Sequence, residues 1–381
     1  MTSPAPTDIQ IPRELLPGDG RFGCGPSKVR PEAVAALALQ GRDWMGTSHR
    51  QAPVKSMVGR LRSGLTELFD LPDGYEVALG NGGTTAFWDI ATFCLIDQRS
   101  QHLTFGEFSS KFADAAAAAP HLADPDVVSS PPGTHPSATA RADVDLYALT
   151  HNETSTGVMM EIVRPDRAGG GSLVAVDATS AAGGLRVDPN QFDVYYFAPQ
   201  KCFASDGGLW LALLSPAAVE RVERISGGGR WVPASLDLQI ALTNSRQDQT
   251  YNTPALATLF LMVDQIEWML GLGGGGGLEG PAARSDRSAE ILYGWAESSS
   301  YATPFVEKPD ERSHVVGTVD LSDDIDALTV SKVLRTNGIV DTESYRKLGR
   351  NQLRIGMFPA IDPEDIAALT ACIDYVVDAL S

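Results

Sequence analysis

The sequence predicts an α/β protein in which a mainly parallel sheet is covered by helices and followed by a small α+β domain. Short apolar strands alternate with helical patterns, several strands are continuous apolar runs, and a glycine-rich stretch precedes the last hundred residues. Continuous apolar runs are typical of strands buried on both faces, as in parallel sheets. With 381 residues the chain is long enough for two domains, each with its own core.

Seven strand-like runs rich in β-branched and aromatic residues precede the glycine-rich stretch. They are residues 75–79, 102–105, 127–129, 144–150, 173–177, 194–198 and 209–214. Helical patterns occupy 84–96, 109–119 and 256–270. These runs predict a seven-stranded sheet in a large domain, 21–270.

Residues 271–281 (GLGGGGGLEGP) are the low-complexity part of the chain and predict a flexible joint between domains. No predicted strand precedes them, which argues against a phosphate-binding glycine loop. The small domain, 282–381, is expected to contain a helix at 282–297, strands near 315–321, 338–341 and 352–357, and a last helix at 363–380. Residues 1–20 are expected to form an N-terminal segment that packs with this domain.

Composition excludes several classes of function. Lys and Arg number 30 against 48 Asp and Glu, a net charge of −18, which argues against nucleic acid or an anionic membrane as a partner. Four scattered cysteines (Cys24, Cys94, Cys202 and Cys372) predict neither a disulfide framework nor a zinc site, and we assign no metal ligands. The N-terminus lacks the apolar core of a signal peptide and no run is long enough to span a bilayer. We therefore expect a cytoplasmic protein.

Two polar residues end neighbouring apolar strands. Asp177 ends the strand that begins at Leu173, and Lys201 follows the strand that begins at Val194. Ligands of open α/β sheets bind at the carboxyl ends of the strands, so the two side chains can face one crevice. Pyridoxal phosphate needs this pairing: a lysine amine for a Schiff base and a carboxylate for the pyridine nitrogen. A plain salt bridge at the strand ends is the alternative.

Further small polar motifs follow the strands. Gly83, Thr84 and Thr85 lie between a strand and a helix, where backbone N–H groups can bind phosphate, although such glycines commonly only turn the chain. Thr253 can cap the helix that follows Pro254 and leave further donors free, or simply start that helix.

Two more candidates follow strands. Thr154 can contact the phenolic oxygen of the cofactor or belong to a polar turn. Phe108 can stack on its pyridine ring or lie in the core.

The sequence resembles the phosphoserine aminotransferase family, of the fold type I, class V pyridoxal-phosphate enzymes, and its actinobacterial branch in particular. The resemblance covers nearly the whole chain. It rests on ordered motifs: RFGCGPSKV at 21–29, GTSHR at 46–50, GNGG at 80–83, HNETSTG at 151–157, VDATS at 176–180, APQK at 198–201, YNTP at 251–254 and NQLR at 351–354.

The resemblance implies a homodimer with shared active sites and a role for each matching residue. Lys201 is the Schiff-base lysine and Asp177 the partner of the pyridine nitrogen. Cofactor contacts are implied for Gly83, Thr84, Phe108, Thr154 and Gln200, and for Asn252 and Thr253 of the other subunit. Arg354 would bind the substrate α-carboxylate, since a guanidinium fork suits a planar carboxylate. His49 and Arg50 would meet the distal anion, again from the other subunit.

The chain departs from the family pattern at two positions. Many members carry an arginine in the phosphate loop, where this chain has Thr84 and Thr85, and many stack a tryptophan where this chain has Phe108. We hypothesise that Arg346 and Lys347 replace the missing cation.

The implied reaction transfers the amino group of glutamate to 3-phosphohydroxypyruvate, in serine biosynthesis. Whether 4-phosphohydroxythreonine of pyridoxine synthesis is also a substrate stays open. An alanine–glyoxylate type of small-acid aminotransferase is the main alternative, favoured by the absent loop arginine. A catalytically idle cofactor-binding protein is a third possibility. A cysteine desulfurase is disfavoured, because no cysteine lies between Cys202 and Cys372.

Overall fold

The structure, a computed structural model, describes residues 8–165, 171–273 and 275–380. Its helices are α1 Pro31–Gln40, α2 Ala52–Leu68, α3 Thr84–Cys94, α4 Glu107–Ala118, α5 Pro216–Gly227, α6 Leu238–Ser245, α7 Leu256–Leu270, α8 Glu279–Ser298, α9 Ala327–Thr336 and α10 Pro363–Leu380. Its strands are β1 Glu76–Gly82, β2 Ser100–Thr104, β3 Asp126–Ser129, β4 Leu146–Thr150, β5 Asn152–Glu153, β6 Val158–Met159, β7 Leu173–Asp177, β8 Val194–Phe197, β9 Gly208–Leu214, β10 Ala302–Pro304, β11 Val316–Leu321 and β12 Gln352–Gly356.

Seven strands form the central sheet in the order β1-β9-β8-β7-β4-β2-β3. The pairs β8–β7, β7–β4, β4–β2 and β2–β3 are parallel, and β9 runs antiparallel to both its neighbours. All seven strands correspond to the apolar runs of the sequence. The predicted mainly parallel, seven-stranded sheet is confirmed.

Helices cover both faces of this sheet. One face packs against α2 and α7 through residues such as Leu61 and Met262. The other packs against α3 to α6 through residues such as Phe87 and Leu242. Strands β4, β7 and β8 are buried along their whole length, as their continuous apolar sequences require.

The C-terminal part has a separate core around the antiparallel sheet β10-β11-β12 and helices α8 to α10. Ile9 and Ile11 of the N-terminal segment lie in this core. Helix α8 begins at Glu279, within the stretch assigned to the joint. The domain boundaries themselves stay a prediction.

The strand expected at 338–341 is wrong. Val340 makes an isolated bridge to Arg21, and its N–H donates to Gly20 O over 2.8 Å. The backbone of Val340 is therefore hydrogen-bonded to the N-terminal segment and not to a strand of the small sheet. The third strand of the small sheet is instead β10, whose Pro304 suits an edge position. Across the described ranges, none of the helices has the length and apolar character needed to cross a membrane.

Candidate active site

A cavity of about 280 Å³ opens at the carboxyl ends of β7 and β8. Asp177, the last residue of β7, and Lys201, four residues beyond β8, both line it. The two strands are parallel neighbours, so their ends meet at one edge of the sheet. A larger open groove of about 680 Å³ beside α8 contains neither residue, so volume alone does not locate the chemistry.

Lys201 is buried, with 6% of its surface exposed. Its Nζ donates to Thr154 Oγ1 over 2.8 Å, and Thr154 in turn donates to Ser180 Oγ. Burial lowers the pKa of Lys201 to about 8, although the charge of Asp177 opposes this shift. An amine with such a pKa is partly neutral near physiological pH and can act as a nucleophile or accept a proton.

Gly25 makes room for the Lys201 side chain. Its φ of +135° suits glycine, and a Cβ there would lie 2.7 Å from Lys201 Cε. The segment from Cys24 to Pro26 forms one wall of the cavity. Burial raises the pKa of the Cys24 thiol, which does not suit a nucleophilic cysteine of the desulfurase type.

Asp177 is held on both carboxylate oxygens. Oδ1 accepts from the backbone N–H of Thr179 over 3.0 Å and from the Thr179 hydroxyl, while Oδ2 accepts from Trp88 Nε1 over 3.0 Å. With 5% of its surface exposed, the carboxylate has a fixed orientation in the wall of the cavity.

The N-terminus of α3 also faces the cavity. Gly82 ends β1 with a φ of +125°, Gly83 is the N-cap, and Thr84 and Thr85 are the first two helical residues and line the cavity. Gly83 itself does not line it. The first N–H groups of a helix have no partner within the helix, so this end of α3 is suited to an anion.

Phe108 also lines the cavity, from the first turn of α4. Lys201 Nζ lies 5.3 Å from the centre of its ring. The carboxylate of Glu153, which is fully buried, accepts from the backbone N–H groups of Phe108 and Ser109 over 3.1 and 2.9 Å. It also accepts from Ser155, so it fixes the start of α4 and with it the Phe108 backbone.

Arg354 projects from β12 to the mouth of the cavity. Its Nη1 donates to Thr154 O over 3.3 Å, its guanidinium lies 5.2 Å from the ring centre of Tyr345, and its Nε is buried without a partner. A guanidinium with a free donor beside an amine is suited to a carboxylate ligand. Arg346 and Lys347 are exposed and do not line the cavity, and Lys347 forms an ion pair with Glu107.

His49, Arg50, Asn252 and Thr253, here called the distal patch, lie together but do not line the cavity of their own chain. His49 Nδ1 lies 3.1 Å from Thr253 Oγ1, and Arg50 Nη1 donates to Gln249 Oε1 over 2.7 Å. Burial and the charge of Arg50 lower the pKa of His49.

The predicted cap at Thr253 is wrong, because α7 begins at Leu256 with Ala255 as its N-cap. The Thr253 hydroxyl faces His49 instead of the helix, and its N–H donates to Asn252 Oδ1.

Eight residues that line the cavity were given no role there from the sequence: Cys24, Gly25, Pro26, Trp88, Thr150, Asn152, Thr179 and Tyr345. Cys24 and Asn152 belong to motifs that carry the family resemblance, and this was a usable signal. Trp88 lies in an apolar helical pattern that predicts only a core position, and Tyr345 belongs to a segment considered only for its cations.

The residues of the cavity fit pyridoxal phosphate. Asn152 Oδ1, Gln200 Oε1 and Arg354 Nε are buried polar atoms without partners, as expected where a polar ligand binds. An amine, a carboxylate, an aromatic face and a helix N-terminus surround one space of suitable size. In the part of the chain that the structure describes, no cluster of three or more His, Cys, Asp or Glu is arranged to hold a metal ion. The fold and the site together define a fold type I pyridoxal-phosphate enzyme.

Comparison with known proteins agrees. The model of the "Aminotransferase class-V" family matches residues 22–343. A phosphoserine aminotransferase of Nocardioides sp. is 63% identical over 98% of this chain and 99% of its own, and a putative one of Mycolicibacterium vanbaalenii is 61% identical over the same shares. The crystal structure of a phosphoserine aminotransferase from Cytophaga hutchinsonii has a TM-score of 0.85 at 23% identity, covering 93% of this chain and 99% of its own.

The chain belongs to the class-V aminotransferase family. The resemblance found in the sequence is confirmed, and pyridoxal phosphate is the cofactor.

Proposed function

We propose that the protein is a phosphoserine aminotransferase. It transfers an amino group reversibly from L-glutamate to 3-phosphohydroxypyruvate, giving O-phospho-L-serine and 2-oxoglutarate, in the biosynthesis of serine. The observation that carries this proposal is that Lys201, Asp177 and Arg354 line one cavity. The full-length relatives of 61–63% identity support the substrate.

Pyridoxal phosphate supplies an aldehyde that bonds to amines and a ring that accepts electrons from the substrate. Lys201 would provide the amine that binds it, and the free amine of Lys201 would move a proton at the substrate α-carbon. A pKa of about 8 leaves Nζ able to lose and regain this proton near neutral pH. Thr154 Oγ1 orients Nζ by accepting its hydrogen.

Asp177, Phe108 and the start of α3 hold the cofactor. Asp177 would accept the hydrogen of the ring nitrogen, Phe108 would pack on the ring, and the N–H groups at Gly83, Thr84 and Thr85 would bind the phosphate. Thr154 and Gln200 contact polar atoms of the ring, and the unpartnered Gln200 Oε1 supports this role.

Arg354 binds the α-carboxylate that glutamate and phosphoserine share. The proposal includes a homodimer in which the distal patch of one subunit completes the site of the other. His49 and Arg50 then bind the distal phosphate or γ-carboxylate, and Asn252 and Thr253 reach the cofactor phosphate. The exposure of Arg50, Asn252 and Thr253 in the single chain supports this arrangement.

The absence of a cation at Thr84 favours one competing function, an aminotransferase of the alanine–glyoxylate type. The two functions differ in the distal anion, which alanine lacks. The proposal includes a cytoplasmic location.

The test is to mix the purified protein with 2-oxoglutarate and phosphoserine, alanine or serine, and to measure glutamate. We expect rapid turnover of phosphoserine alone, with none for Lys201→Ala and full turnover for Lys332→Ala, which alters an exposed lysine of α9. Faster turnover of alanine than of phosphoserine would contradict the proposal, as would absorbance of bound cofactor without any half-reaction on addition of glutamate.

A further inference from the structure

Trp88 contacts the carboxylate that the proposed function assigns to the pyridine nitrogen. Its Nε1 donates to Asp177 Oδ2 over 3.0 Å, and both side chains are about nineteen-twentieths buried. The indole also lines the cavity. The ring packs in the apolar core between the sheet and its helices, so it has a structural role. The question is whether its N–H also has a role in binding the cofactor.

Counting hydrogen-bond capacity shows what the N–H can do. Each carboxylate oxygen accepts two hydrogen bonds, and an indole nitrogen only donates. The backbone N–H and hydroxyl of Thr179 use both sites of Asp177 Oδ1, whereas Trp88 uses one site of Oδ2. Asp177 Oδ2 therefore keeps at most one acceptor site, which the buried Tyr196 hydroxyl beside Asp177 and Trp88 can also reach. Contacts on both oxygens fix the rotation of the carboxylate.

The position of Trp88 on α3 connects this contact to the phosphate end of the site. Trp88 lies four residues after Thr84, so the two side chains lie on the same face of the helix, about 6 Å apart along its axis. Thr84 is at the first turn, which the proposed function assigns to the cofactor phosphate. One rigid helix thus carries the supports for both ends of the ligand.

We propose that Trp88 is a positioning residue that acts through Asp177. Its indole N–H holds Oδ2 in the orientation that accepts the hydrogen of the pyridine nitrogen. The inference rests on the proposed function, since it requires Asp177 to bind the cofactor ring. If the indole served packing alone, removing its N–H would leave cofactor binding unchanged.

The test removes the N–H and keeps an aromatic ring. Trp88→Phe is compared with Trp295→Phe, which removes a similar indole–carboxylate bond of 2.9 Å to Asp374 in the small domain. For Trp88→Phe we expect the dissociation constant of pyridoxal phosphate to rise about tenfold, since a hydrogen bond to a charged group is lost. The visible absorbance of the bound cofactor should shift and kcat should fall at unchanged KM for glutamate. Trp295→Phe should show none of these changes, and identical behaviour of the two variants overturns the proposal.

A double-mutant cycle with Asp177→Ala tests the route of the effect. If Trp88 acts through Asp177, Trp88→Phe adds nothing to the loss of affinity in Asp177→Ala, whereas additive losses overturn the inference. An Asp177→Ala protein with normal cofactor affinity would instead contradict the proposed role of Asp177, and with it this inference. If Asp177→Ala weakens cofactor binding and Trp88→Phe does not, the result contradicts this inference and leaves the proposed function intact.

If Trp88→Phe does not fold, a second pair of variants tests the same proposal. Trp88→His and Trp88→Leu both reduce packing, but histidine alone retains a ring N–H donor. The proposal predicts tighter cofactor binding by the histidine variant, and equal binding by both would overturn it.

Discussion

The Lys201 cavity and the distal patch are built in opposite ways. In the cavity, Lys201 and Asp177 are buried and hydrogen-bonded, Lys201 to Thr154 and Asp177 to Thr179. In the distal patch, Arg50, Asn252 and Thr253 are exposed, and His49 Nε2 has no partner among the described residues. This contrast is the basis of the proposal that one chain builds the site for the cofactor ring and the α-carboxylate, and that the distal patch binds the substrate of a second subunit.

The largest effect that we expect from the contrast between the cavity and the distal patch is the free energy of burying the charge of Lys201. The pKa of Lys201 is about 8 in the folded protein against 10.5 for an ordinary lysine. Between these values the unfolded chain binds more protons, so the stability of the cofactor-free protein should rise with pH there, by about 3 kcal/mol in all.

Urea unfolding of the cofactor-free protein across this pH range measures the effect. Lys201→Met should remove this component, while Lys332→Met should retain it. If the free energy of unfolding changes with pH in the same way for the native protein and for Lys201→Met, the pKa of Lys201 is not lowered by burial.

Glu153 offers the next largest effect. Glu153→Gln keeps the size of the side chain but places an amide near the N–H groups of Phe108 and Ser109 that need an acceptor. We expect a loss of about 2 kcal/mol in the free energy of unfolding. The control is Glu107→Gln, which breaks the ion pairs of Glu107 with Lys347 and Lys111 and should cost clearly less, because both lysines are exposed. Equal losses would mean that the carboxylate does not fix α4.

The smallest effect concerns the cation missing from the phosphate loop. If Arg346 and Lys347 replace it, Arg346→Ala and Lys347→Ala should each raise KM for phosphoserine about fivefold, since an exposed cation contributes only modestly to binding. KM for alanine as donor should not change, because alanine has no distal anion. Unchanged KM for phosphoserine in both variants would rule out this replacement and leave the distal anion to His49 and Arg50.

The sequence predicts the sheet and the pair Asp177 and Lys201 well, because both depend on local patterns. A buried strand has a continuous apolar run, and a polar residue at its end is visible in the same window. The error at 338–341 has the opposite origin, since a strand forms only with a partner, and Val340 bonds to Gly20 more than three hundred residues away.

Contacts between distant segments also explain the residues that were missed at the cavity. Trp88 looks like any apolar residue of α3 until the fold brings Asp177 to its N–H. Glu153 looks like a turn residue until α4 places two N–H groups against it. The motifs that carry the family resemblance include Glu153 and Asp177, but they do not include Trp88 and do not specify these contacts.

The most direct test of the contrast is to mix two inactive proteins, Lys201→Ala and Arg50→Ala, after dissociation and reassociation. If Arg50 serves the site of the other subunit, each mixed dimer has one intact site, and about a quarter of native activity should return. The quarter follows because random reassociation makes half of the dimers mixed, and each mixed dimer has one complete site out of two. If Arg50 serves its own chain, every site in the mixture carries one defect and no activity should return, which would contradict the account.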